Sequence, residues 1–112
     1  MSIFSDLQAA FSAPAFRQQA GADIGNECLA LLKEGFADNN AFIRETCAQL
    51  AEAFRDKARG ELEAADMEVM LIGLQEQLNI EITNAQIALR TRLQNIIERL
   101  LDLSLSVLLK AL

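Results

Sequence analysis

From about residue 65 to the end of the chain, apolar side chains recur at steps of three or four: Leu71, Leu74, Leu78, Ile82, Ala85, Leu89, Leu93, Ile96, Leu100, Leu103 and Val107. The mean step equals the 3.6 residues of a straight α-helix rather than the 3.5 of a heptad repeat. This predicts nearly straight or slightly right-handed packing instead of a long left-handed coiled coil. Glu61, Glu63, Asp66 and Glu68 precede the stripe, where carboxylates complement the positive end of a helix dipole. An unbroken helix here would be roughly 70 Å long at 1.5 Å per residue, against a radius of gyration of about 13 Å for a compact chain of this size. Something must cover the excess, and a second copy of the chain is the economical partner. The weak points are Gly73 and the alternating run from Asn79 to Thr83, so residues 79–84 are where a break would fall.

The N-terminal half reads as shorter helices. Ser2 to Ser12 places Ile3, Phe4, Leu7 and Phe11 on one side, with Ser5 and Gln8 spaced as a capping box. Pro14 disfavours helical geometry at Ala13 and predicts a bend and a restart there. A helix over about Asp23–Glu34, ended by Gly35, would turn Ile24, Cys28, Leu31 and Leu32 inward; another over about Asn40–Arg59, ended by Gly60, would do so with Ile43, Cys47, Leu50 and Phe54. Joined by a short polar loop, the two predict an antiparallel hairpin. All 6 Phe lie before position 55, whereas most Leu and Ile follow position 60, so the halves offer different core surfaces.

The chain has 112 residues and is 52% hydrophobic, enough for one core and short for two domains. One Pro, five Gly and abundant helix formers make all-α the natural class. The net charge of −6, with scattered basic residues, argues against nucleic-acid binding, which depends on Lys and Arg neutralising phosphates. No basic, apolar, small-residue leader pattern stands at the start, so the expected location is the cytoplasm. Ile96 to Leu112 is short and carries Glu98, Arg99, Asp102 and Lys110, which excludes a transmembrane helix, and its polar line lacks the Lys/Arg richness of an interfacial one.

Chemistry is sparse. There is no His, which removes the commonest general base and metal ligand, and no Trp or Tyr. Phosphate loops, dinucleotide fingerprints and nucleophile elbows are also missing. Glu45 and Glu52, or the carboxylates from Glu61 to Glu68, could hold a cation, but they lie away from the apolar lines and read as solvated face. Cys28 and Cys47 sit equally far from a turn centred near residue 37 or 38, so a disulfide is conceivable; two reduced thiols acting as small buried apolar groups is the preferred reading. Antiparallel pairing of two long helices about residue 83 would set Glu76 by Arg90 and Glu68 by Arg99, unless these charges simply face water.

The expectation is one all-α domain over residues 1–112. Short helices and a hairpin over 1–60 pack on one long amphipathic helix over 61–112, and oligomerisation completes the bundle. The function expected is a non-enzymatic interaction protein, an adaptor or assembly component without cofactor or metal. It would self-associate through Leu71, Leu74, Leu78, Ile82, Leu89, Leu93, Ile96, Leu100, Leu103 and Val107. Two alternatives stand beside it: a carrier holding an apolar ligand between the Phe-rich helices and the long helix, and a regulatory protein whose acidic face steers it to a basic protein partner.

Overall fold

A computed structural model describes residues 2–112. Ser2 caps the first helix, α1 (Ile3–Ser12), its hydroxyl accepting from the Ser5 amide at 3.3 Å, so the cap lies one turn earlier than the Ser5–Gln8 pattern suggests. The chain bends at Ala13, where the backbone is extended, and α2 (Pro14–Ala20) starts on Pro14, whose missing N–H costs nothing at a first helical position. Gly21, at φ 85°, makes the tight turn into α3 (Ala22–Phe36). Asn40 caps α4 (Ala41–Ala58), its side-chain oxygen accepting from Ile43 N–H at 3.0 Å, and Gly60 leaves it at φ 76°. The α3–α4 hairpin is present, with Cys28, Leu32, Ile43, Cys47, Leu50 and Phe54 fully buried.

Gly35 does not end its helix. It lies inside α3, buried, at a point where an added Cβ would run into Cys47 Sγ and come within 3.2 Å of Cys47 Cβ. The glycine serves close helix–helix approach rather than capping.

The expected single long helix is two. α5 (Ala64–Asn84) ends at Ala85, and a helical rod over residues 87–111, α6, doubles back beside it. Ala85 and Gln86 adopt extended backbone, at ψ 146° and 163°. The break falls just after the run flagged in the sequence, and neither residue is Gly or Pro. Local bias contributes: Asn79 to Asn84 contains weak helix formers, and the Thr83 hydroxyl donates to the Asn79 carbonyl at 2.8 Å, competing with the helix ladder. Packing decides it. Folded back, both halves of the stripe face the hairpin and each other, within an envelope of 41 × 26 × 24 Å that a 70 Å rod could not enter.

In α6, α-helical stretches alternate with two π-helical ones, Leu93–Glu98 and Ser104–Leu108. In the second, the Ser104 and Ser106 hydroxyls donate to the Leu100 and Asp102 carbonyls, each at 2.6 Å, competing there with the backbone ladder. The rod lies centrally, touching α2, α3, α4 and α5, and is buried on two lines: Leu93, Ile96, Leu100 and Leu103, and also Ile97, Leu101, Ser104 and Leu108. One hydrophobic cluster runs from Leu7 to Leu108. No helix among the described residues is long and apolar enough to cross a membrane.

Candidate interaction surface

Of the residues expected to join copies, Leu71, Leu74, Leu78, Leu93, Ile96, Leu100 and Leu103 are buried against their own chain, and Ile82, Leu89 and Val107 are half-buried. The stripe therefore lines the core of a single copy. Its excess length is covered by the fold-back of α6 on α5, which a straight helix would not permit.

Apart from Ile87 and Leu105 on α6, the large apolar side chains that remain exposed lie on the opposite side of α5. Val69 is 71% exposed, Ile72 49% and Ile80 62%, and Ile87, just past the break, is 78% exposed. At 3.6 residues per turn, Val69, Ile72 and Ile80 fall within roughly a quarter turn of one another, with Glu76 and Thr83 on the same strip. Gly73 lies at its edge with nothing within 4 Å of where a Cβ would stand. Beside it is a shallow groove of about 240 Å³ between α4 and α5, lined by Gln49, Val69, Met70, Gly73, Leu74 and Gln77. Positions 69, 72 and 80 are legible in the sequence as a second, shorter line of branched apolar residues.

Charge is concentrated on the same element. Residues 61–81 hold Glu61, Glu63, Asp66, Glu68, Glu76 and Glu81 and no Lys or Arg. The remainder of the chain carries ten acidic and ten basic residues, so the whole net charge of −6 belongs to this stretch. Among the described residues, none of these six carboxylates is in an ion pair.

Two of the basic residues of α6 bind the hairpin. Arg99 grips Glu27 with two hydrogen bonds, at 2.6 and 2.9 Å, and Arg92 grips Asp38, at 3.0 and 3.3 Å, while also reaching Asn39. Arg90 donates to the Ala85 carbonyl at 3.2 Å across the break. Within one copy, Arg90 and Arg99, expected opposite Glu76 and Glu68 of a second chain, contact the Ala85 carbonyl and Glu27. The Arg99 hydrogen bond holds the Glu27 carboxyl below its usual range; burial would raise Asp38, but hydrogen bonds from Arg92 and the Asn40 amide bring it below its ordinary value.

Neither thiol is set up for chemistry. Cys28 and Cys47 are both free and fully buried, and Cys47 Sγ packs over Gly35, seven residues along α3 from Cys28, so the two are not level. Burial pushes both thiols up to about 12, which keeps them protonated and unreactive near neutral pH. The Phe rings pack on one another within the N-terminal helices: Phe11 lies tilted against Phe16 with ring centroids 5.0 Å apart, and Phe4 meets Phe36 edge-on at 5.3 Å. A surface hollow of about 340 Å³ between α3 and α6 is lined mainly by polar groups, including Glu27, Glu98, Arg99 and Asp102. No cluster of three metal-ligating side chains occurs among the described residues.

Neither a protein-family model, nor a curated protein, nor a solved structure matches the chain.

Proposed function

We propose that the chain is a non-enzymatic helical interaction protein that self-associates by exchanging α6 between copies, so that two chains complete each other's bundle. The observation that carries this reading is the apolar stripe, which runs in helical register through a two-residue break containing neither Gly nor Pro. Leu78, Ile82, Ala85, Leu89 and Leu93 keep their spacing across residues 85 and 86. Nothing local to Ala85 or Gln86 forbids a continuous helix, and Ala is the best helix former.

The break also leaves helix ends weakly capped, with no side-chain cap on the start of α6 and the Arg90 guanidinium on the Ala85 carbonyl. Straightening would restore backbone hydrogen bonds there. α6 would then take its seat on the α3–α4 hairpin of a second copy, with Leu93, Ile96, Leu100 and Leu103 making the contacts they make within one chain. Short hinges between such elements invite this exchange, because every interface is reused at no cost in complementarity.

Gln86→Pro tests the reading directly. Gln86 has φ −71°, which proline fixes anyway, and the preceding residue already holds the extended geometry proline demands. In a straight helix the same proline costs about 3 kcal/mol. Light scattering after gel filtration, over a concentration series, is expected to find dimer for the wild type and monomer for Gln86→Pro. A wild type that stays monomeric, or a variant that associates equally well, overturns the proposal.

A further inference from the structure

α5 and α6 are both apolar on two sides, yet their surroundings differ. In α6 both buried lines are covered by the rest of the chain, and its large exposed apolar residues, Ile87 and Leu105, stand far apart. In α5 the inner line of Met67, Leu71, Leu74 and Leu78 is covered, and the outer line of Val69, Ile72 and Ile80 faces solvent. Branched apolar side chains aligned over three turns differ from isolated exposed ones, which need no explanation. Among the described residues of one copy, no other element covers this face.

We propose that the outer face of α5 is a docking surface for a basic amphipathic helix of another protein. Three features select that occupant. Val69 and Ile72 lie one turn apart and Ile80 two turns further on, with Glu76 between them on the same strip, so a partner helix would meet them with apolar side chains on either side of a basic one. Gly73 and the groove beside it form a notch, open above, into which one partner side chain fits. The flanking Glu68 and Glu76, together with Asp66, are exposed and free of ion pairs, within a stretch that carries the entire net charge.

Charge also excludes the obvious competitors. Two copies of α5 laid face to face would set carboxylates against carboxylates with no cation on either helix. An anionic lipid surface would be repelled for the same reason, as would nucleic acid. A helix with Lys or Arg beside its apolar stripe meets both halves of the surface, the charges governing encounter rate and orientation and the apolar anchors governing residence.

The test uses the full chain and two fluorescent synthetic peptides of identical apolar pattern, one built of Leu and Lys and one of Leu and Glu, in anisotropy titrations at low and moderate salt. The Leu–Lys peptide is expected to bind, weakening as salt rises, and the Leu–Glu peptide not to bind. In the wild type, amide chemical shifts should move over residues 69–83, a readout that needs no variant. Ile72→Ser with Ile80→Ser should weaken binding by tenfold or more, and Glu68→Gln with Glu76→Gln severalfold. Asp23→Asn with Glu34→Gln removes equal charge from α3 and should change little. Shifts that map elsewhere overturn the proposal, as does equal loss in the α3 control, which would mean diffuse attraction alone. A homodimer dissolved by Ile72→Ser with Ile80→Ser also overturns it, by placing a second copy on the face.

Discussion

At Gly35 the close approach of α3 and α4 leaves no room for a methyl group, because the Cys47 sulfur fills the place a Cβ would take and Ile96 Cγ2 stands 3.4 Å away. Gly35→Ala gains helix propensity worth up to about 1 kcal/mol but overpacks the site by about 1–3 kcal/mol, so the net effect is destabilising. Cys47→Ala removes the sulfur and leaves only the 3.2 Å contact with its Cβ. Chemical denaturation of the two single variants and the double variant should therefore show Gly35→Ala to be less harmful, or stabilising, in the Cys47→Ala background. An equal loss in both backgrounds would remove the sulfur as the cause. In the sequence alone, Gly35 is indistinguishable from a C-terminal cap, since it closes an apolar line and precedes a polar loop. The residue that sets its role lies 12 positions away on another helix, and only the hairpin register brings them together. That register likewise sets Cys28 away from Cys47, which counting from the turn could not reveal. Caps made of neighbouring residues, such as Asn40 on Ile43 N–H, were legible because cause and effect share one turn of chain.

Among the elements, α6 shows most clearly what periodicity reaches and what it does not. A 3.6-residue period finds Leu93, Ile96, Leu100 and Leu103, all buried, but the helix is central and widened by π turns. Ile97, Leu101 and Leu108 are therefore buried on a second line. Leu101→Ala should accordingly cost about 2–5 kcal/mol, as much as Leu100→Ala on the principal stripe, since both create cavities against a packed neighbour. Matched urea titrations decide this, and a loss below about 1 kcal/mol for Leu101→Ala would mean that its side of the rod is loosely packed. Helix class and most inward positions were thus readable from local pattern. The turn at Ala85–Gln86 was legible only as a weak point over residues 79–84, because local bias marks where a break can fall while the bend itself is imposed by what α5 and α6 gain from packing side by side. The outer face of α5 was legible as residues at 69, 72 and 80 but not as an open surface, for a related reason. A helix apolar on two sides reads as a central one, and only the arrangement of the other elements decides whether both sides are covered.

Across the whole molecule, α6 is latched to the hairpin by two ion pairs that span long stretches of sequence, Arg99 with Glu27 and Arg92 with Asp38. Both carboxyls titrate below their ordinary values, 4.5 for Glu and 3.8 for Asp, so the folded state binds fewer protons than the unfolded one as pH falls through that range. Their stabilisation is fully present above the ordinary values and is lost progressively below them, as the pH descends through the depressed folded values. The Asp38 side chain is only 7% exposed and should keep its share in salt, whereas the Glu27 pair, exposed on both sides, should be screened. Urea midpoints should therefore fall below about pH 4.5, and Asp38→Asn should be less stable than wild type at neutral pH while losing less on acidification. The same latches hold α6 in its own chain, so acid that weakens them should also speed its exchange. Concentrated protein held briefly near pH 3.5 and returned to neutrality should contain more dimer than protein never acidified, and Gln86→Pro treated alike should contain none. Equal dimer in acidified and untreated wild-type samples would mean that these ion pairs do not gate the exchange. Dimer appearing in Gln86→Pro would mean that copies join without straightening the helix at residue 86.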